Sequence, residues 1–225
     1  TGGKTGVNLS GLKNILGTFS LPEFTYINTS TLKTLPHREL LAGVAEMIKA
    51  FAIKDKESFA KAQMCFRNGI DTSSPEFREL LATAIEIKAG VVERDFRESG
   101  ERKLLNFGHT IGHAIEKCAS ERGDSILHGE AVAKGMVVAS EISVIRGYLS
   151  EDDHNTLRHS LENMGFDLSI GYEAENLVEA IKNDKKRGEN GVDFVLLKEI
   201  GISCVERTSF DELAKEIANV LHQHN

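Results

Sequence analysis

Two histidines four residues apart, His109 and His113, lie in the run Asn106-Phe107-Gly108-His109-Thr110-Ile111-Gly112-His113-Ala114. On a helix that spacing projects both imidazoles from one face. Glycine inside a helix costs about 1 kcal/mol relative to alanine, so a glycine before each histidine points to something that must approach closely. A pair of buried, hydrogen-bonded histidines satisfies the same pattern, because HxxxH is common. His128, in Leu127-His128-Gly129-Glu130, opens the next apolar segment. Two consecutive helices joined by a short loop can pack antiparallel, which brings a third imidazole into the neighbourhood. Glu46 is the best carboxylate to complete a metal site. It stands among Ala42, Gly43, Ala45 and Ala50, off the large apolar stripe of its segment, with Lys49 three residues on along the same face. Read alone, Glu46 and Lys49 form an exposed ion pair. With the histidines, they give a two-histidine, one-carboxylate set with open positions, which suits catalytic zinc or a related ion.

Cationic residues that hold anions surround these positions in the sequence. Lys88 is embedded in the apolar run Ile85-Glu86-Ile87-Lys88-Ala89-Gly90, and Arg102 precedes His109 by seven residues. Asp184-Lys185-Lys186-Arg187 closes a helical segment, where basic residues also serve as ordinary solvated caps. Gly2-Gly3-Lys4-Thr5 matches the end of a P-loop, but the Asn, Ser and Gly of Val7–Asn14 do not form the helix that motif requires. A flexible loop with one phosphate-binding lysine is the better reading. His154, His159, His222 and His224 lie on polar faces or the C-terminal tail, and His37 precedes a helix. All five read as structural or solvated.

The elements that must position these groups are mostly helical. Residues 1–20 read as loop, and Glu23–Asn28 as a short strand after Pro22. Leu40, Val44, Met47, Ile48 and Phe51 recur at helical spacing and predict a helix over 38–53. Ser74-Pro75-Glu76 opens a second helix to about Arg94. Residues 95–105 read as a charged connection. A helix then carries NFGHTIGHAIEKC, followed by a polar loop over 119–127. The segment 128–147, with Gly129, Ala131, Ala133, Gly135 and Ala139, predicts a closely packed central helix. Ser150 and Ser209 head capping boxes for two further helices, with Gly165 ending the first of them. A shorter helix spans 173–183, and Val192–Leu197 with Ile202–Glu206 predicts a β-hairpin. No βαβ pattern with GxGxxG occurs, so no dinucleotide-binding Rossmann unit is expected in these residues.

Composition narrows the partners. Hydrophobic residues make up 40% and charged residues 27% of the 225, enough for a sizeable core. Net charge is −7 with no basic block, which argues against nucleic acid. No apolar run approaches the ~20 residues of a membrane span, and no signal peptide is visible. Cys65, Cys118 and Cys204 share no CxxC spacing, which points to reduced thiols in a cytoplasmic protein. The chain begins at Thr1 without methionine, so a fragment is expected.

Taken in order, GGKTGVN, GLKN, LKTLPHRELLAGVAEMIK, the Lys88 segment, RDFRESGERKLLNFGHTIGHAIE, LHGEAVAKGM and DKKRGENGVDFVLL resemble the 3-dehydroquinate synthase family of sugar-phosphate cyclases. The likeness spans nearly the whole chain, and its Glu-xx-Lys, NFGHTxGHA and LHGEA segments are jointly specific. It implies a mainly α, C-terminal metal- and substrate-binding domain with small β-hairpins over 31–225. Residues 1–30 would be an inter-domain segment, and the family's N-terminal NAD-binding domain is expected to be missing. It implies Zn2+ or Co2+ held by Glu46, His109 and His128, and it moves His113 to the substrate phosphate and to proton transfer. Lys4, Asn106, Lys185 and Lys186 would also meet the phosphate. Lys88 and Arg102 would hold the substrate carboxylate, Lys49 would lie near its hydroxyls, and Glu98 would support the site. Lys13 and Asn14 would border the cofactor.

The family's reaction begins with a seven-carbon keto-acid phosphate. NAD oxidises a hydroxyl transiently, phosphate leaves by β-elimination, the hydride returns, and ring opening with aldol closure gives the carbocycle. The resemblance also implies a homodimer for the complete protein. Rivals are another sugar-phosphate cyclase, an iron-dependent or glycerol-type dehydrogenase, and a non-catalytic metal-binding module. Expected turnover by this chain alone is close to nil.

Overall fold

The computed structural model describes residues 2–9, 12–184 and 190–223. At the N-terminus it departs from the loop expected over 1–20. Lys4–Leu9 (β1) and Leu12–Phe19 (β2) form an antiparallel hairpin. Thr5 faces Thr18, their hydroxyls 3.0 Å apart, and Gly6 faces Gly17. The ribbon's composition hid it, because it buries little: Val7 is 63% and Leu16 57% exposed. Lys4 thus leads into a strand and not into a P-loop helix. The strand expected at Glu23–Asn28 does not form. That segment finds no ladder partner among the described residues, and Phe24 and Tyr26 are exposed. Asn28 instead caps a 3-10 turn over Thr29–Thr34.

Helix α1, His37–Lys54, follows the predicted stripe and buries ten of its residues. Helix α2, Lys56–Phe66, was not anticipated. Its buried Phe59, Ala62 and Phe66 have helical spacing but sit in a polar run, and Asp55 caps it by accepting from the Ser58 N–H at 3.0 Å. Helix α3, Pro75–Arg94, starts as expected, with Ser74 Oγ accepting from the Phe77 N–H at 3.1 Å. The charged connection after it contains a 3-10 turn over Glu101–Asn106.

Helix α4, His109–Arg122, begins three residues later than the NFGH reading and runs into the expected 119–127 loop. Gly108, at φ 75°, turns the chain sharply enough to make His109 the first helical residue. Helix α5, His128–Ile145, is buried on nearly every side, as its small residues predicted. It packs on α1 at Gly129 and on α4 at Gly135. There a Cβ would land on the carbonyl oxygens of Ala42 and Gly108 respectively.

Helices α6 (Glu151–Asn163) and α7 (Ala174–Asp184), the hairpin β3 (Gly191–Glu199) with β4 (Ile202–Ser209), and α8 (Phe210–Gln223) close the core. Ser150 and Ser209 cap α6 and α8 as predicted, and Gly165 adopts φ 98° just beyond α6. His154 does not lie on a polar face. It is buried on α6, 2.7 Å from Ser140 Oγ. The architecture is mainly α with two small antiparallel hairpins, as expected. No helix among the described residues is long and apolar enough to cross a membrane.

Candidate metal and anion site

The close α1–α5 and α4–α5 contacts bring Glu46, His109 and His128 together. His109 Nε2 lies 3.5 Å and His128 Nε2 3.7 Å from Glu46 Oε1. One ligand atom from each falls within 4.8 Å of the others. The second carboxylate oxygen, Oε2, accepts from Lys49 Nζ at 2.7 Å. Lys49 is only 5% exposed, so this is no surface ion pair. Oε1 is sheltered from water yet accepts no hydrogen bond. A buried carboxylate oxygen without a donor is costly, and a cation between Oε1 and the two imidazoles would remove that cost. The donor set, two imidazole nitrogens and one carboxylate, is that of an open zinc-type site.

Electrostatics agree with this role. Burial pushes the Glu46 carboxyl up, but the Lys49 charge and the neighbouring imidazoles outweigh it and hold the group at about 2. Burial, reinforced by Lys49, pulls His109 down to about 3, which leaves its imidazole neutral near pH 7 with a lone pair to offer. Burial also pulls the Lys49 ammonium down, opposed by Glu46. His113 stays close without joining the set. Its ring centroid is 5.4 Å from that of His109 and 5.8 Å from that of His128. A second group, His113, Glu116 and His128, also has metal-ligand spacing.

These residues line an open cleft of about 700 Å3 together with Lys4, Lys88, Glu98, Arg102 and Asn106. Glu98 bridges two of them, accepting from Lys4 Nζ and from Asn106 Nδ2, the latter at 2.7 Å. Lys88 and Arg102 both flank Gly2: a Cβ there would lie 3.3 Å from Arg102 Nη2 and 3.9 Å from Lys88 Cε. Arg102 is clamped, donating to the carbonyls of Phe96 and Gly2 at 2.6 Å each. Lys13 and Asn14 fall on β2; their side chains, like Lys185 and Lys186 as a whole, lie outside the described residues. The structure therefore brings together ten of the residues singled out from the sequence.

Two residues escaped sequence reasoning. One is Glu116, a single turn beyond His113. The other is Asp95, which organises the loop carrying Glu98 and Arg102. Asp95 accepts from the N–H groups of Ser99, Gly100 and Arg102 at 3.0, 2.7 and 3.0 Å, and Glu98, just before them, sits at φ 62°. The available signal was an acidic residue at a helix end, followed by Ser99-Gly100, an arrangement shared by many turns.

Burial pushes the Asp95 carboxyl up, but these N–H groups prevail and hold it at about 2. The ionised group is thus favoured by folding. Its contribution is full above the unfolded value near ~4 and is lost as pH falls through the folded value. Urea unfolding of wild type and Asp95→Ala will differ by a constant amount near neutral pH, and the gap will shrink below pH ~4. A gap that persists unchanged at pH ~2 would show that the carboxylate charge is not what holds the loop.

Comparison with known proteins places the chain in a family. A family model described as 3-dehydroquinate synthase C-terminal matches residues 43–187, and one described as 3-dehydroquinate synthase N-terminal matches residues 1–42. The 3-dehydroquinate synthase of Thermoanaerobacter pseudethanolicus is 39% identical over 217 residues, 95% of this chain and 60% of that protein. That of Pyrococcus abyssi is 39% identical over 216 residues, 96% of this chain and 60% of that protein. The chain thus spans about 60% of the length of these curated relatives. Among solved structures, 2-epi-5-epi-valiolone synthase from Streptomyces hygroscopicus, with NAD+ and Zn2+ bound, shares the fold at a TM-score of 0.88 and 24% identity. The match covers 100% of this chain and 62% of that one. A 2-deoxy-scyllo-inosose synthase complexed with carbaglucose-6-phosphate, NAD+ and Co2+ aligns at a TM-score of 0.81 and 25% identity, over 96% of this chain and 61% of that one. On the extent of the family-model match and the identity to these relatives, the chain belongs to the 3-dehydroquinate synthase family.

Proposed function

We propose that this chain supplies the metal- and substrate-binding part, residues 31–225, of an enzyme that converts 3-deoxy-D-arabino-heptulosonate 7-phosphate to 3-dehydroquinate and phosphate. The observation that carries the reading is Glu46: one oxygen is neutralised by a buried lysine, and the other faces two imidazoles beside a cation-lined cleft. Zn2+ or Co2+ held by Glu46, His109 and His128 would polarise a substrate oxygen and make its hydroxyl more acidic. NAD, bordered by Lys13 and Asn14, would supply transient oxidation.

The chain's own residues position the rest. Lys88 and Arg102 receive the substrate carboxylate, with Arg102 held rigid by two backbone carbonyls. Lys4, Asn106 and His113 face the phosphate, joined by Lys185 and Lys186, and Glu98 keeps Lys4 and Asn106 in place. Lys49 lies beside the substrate hydroxyls. As the phosphate departs, negative charge builds on its oxygens, and fixed cations in a sheltered cleft stabilise that charge without reorganising. His113 moves a proton at the phosphate end. Because one cleft holds both ends of the substrate, successive intermediates need not move far. Three free cysteines support a cytoplasmic setting, and we place the complete enzyme as a homodimer.

The test joins this chain to the N-terminal part of a longer relative and follows phosphate release with substrate, NAD and Zn2+ or Co2+. Robust turnover is expected from the joined protein and almost none from the present chain. Turnover on an uncarboxylated sugar phosphate, with none on the seven-carbon acid, would point to a different cyclase and sink the assignment.

A further inference from the structure

Two groups of metal-ligand spacing share His128: Glu46 with His109, and His113 with Glu116. A neutral imidazole has one lone pair, and its place is set by the hydrogen bond the other nitrogen makes. His128 Nδ1 lies within hydrogen-bond reach of Glu116 Oε2, at 3.3 Å. Its Nε2 faces Glu46 Oε1, which accepts no hydrogen bond. Both neighbours are carboxylates and only accept; the hydrogen bond forms at the shorter contact, 3.3 Å against 3.7 Å, which puts the proton on Nδ1 and the lone pair on Nε2. His109 repeats the arrangement: Nδ1 is 3.1 Å from the Phe107 carbonyl and Nε2 faces the same Glu46 oxygen. Both lone pairs then converge on Glu46. Burial does not hold the His128 ring in place, since its side chain is 46% exposed while that of Glu116 is 16% exposed.

We infer that Glu116 is a positioning residue which fixes the tautomer and orientation of His128 and so selects the Glu46–His109–His128 group over the alternative one. The inference rests on the metal reading above. Loss of such an outer partner typically weakens metal binding about 10- to 100-fold.

The test uses the full chain, titrated with Zn2+ and Co2+ by calorimetry, with 15N NMR of the His128 ring before metal is added. Wild type and Glu116→Gln, which keeps an acceptor, will show the Nδ1–H tautomer and affinities within a few-fold of each other. Glu116→Ala will lose that tautomer preference and bind about 10- to 100-fold more weakly. If Glu116→Ala loses helical circular dichroism, Glu116→Leu repeats the test at similar bulk. Unchanged tautomer and affinity in the acceptor-free variant, or equal weakening in Glu116→Gln, would overturn the inference. His128→Ala and Glu46→Gln separate the two levels: if these also bind metal normally, the metal reading has failed and not only the role of Glu116.

Discussion

Replacing Glu46 by glutamine, or His109 or His128 by alanine, will each weaken Zn2+ and Co2+ binding by more than the about 10- to 100-fold typical of an outer partner, while His113→Ala will largely spare it. The reason is geometric. Glu46 Oε1 is the one point that both Nε2 atoms face, at 3.5 and 3.7 Å. Glu46→Gln keeps the bulk but removes the charge, and it presents either an amide or a weaker carbonyl donor to the ion. It also leaves Lys49 buried without its counter-charge, which is costly in its own right. The variant's stability without metal should therefore be measured beside its affinity. His113 sits on the same face of α4 as His109 but belongs to neither side of that triangle. Calorimetric titration reads all four variants, and an equal loss in His113→Ala would refute the ligand assignment.

Gly135→Ala will lower stability sharply. The added methyl would land on the Gly108 carbonyl oxygen and press on the Gly112 nitrogen at 2.9 Å, all backbone and unable to swing aside. Overpacking costs about 1–3 kcal/mol and occasionally more, and here α4 and α5 must part. At roughly 2–4 °C per kcal/mol for a chain of this size, the melting temperature should fall by about 10 °C. Gly129→Ala, against the Ala42 backbone, will behave similarly. Gly43→Ala is the control. Nothing lies within 4 Å of its added methyl, and helix propensity predicts a gain of up to about 1 kcal/mol. An unchanged melt for Gly135→Ala would mean that the helix contact is looser than its geometry states. Because the same contact sets His109 against His128, metal affinity will fall together with stability.

What could be read from the sequence was whatever is local. The Ser74, Ser150 and Ser209 caps, the α1 stripe, the small residues of α5 and the second hairpin all follow from spacing of a few residues. The elements that failed lacked a local signal. The first hairpin has too little apolar alternation to declare itself, and Glu23–Asn28 has a strand's composition without a neighbour to pair with. Lys49 is buried only once α1 packs against α3 and α5, so the pair with Glu46 read as a surface one. Likewise the contact of Glu116 with His128 spans a helix turnaround, and the grip of Asp95 on Arg102 depends on a loop's path. The ligand set itself came from resemblance; spacing alone left His109 and His113 as an undecided pair.

One feature of the hairpin's base bears on how the site behaves in time. Arg102 reaches Gly2, and Glu98 reaches Lys4, across about 100 residues of chain. These ties hold an otherwise exposed ribbon to the cleft, whereas Glu46, His109 and His128 ride on helices fixed in the core. Segments with few buried apolar contacts open locally, at far less cost than global unfolding. Local opening of the ribbon would therefore carry Lys4 away from Glu98 and the cleft, while Glu46, His109 and His128 keep their places on the core helices.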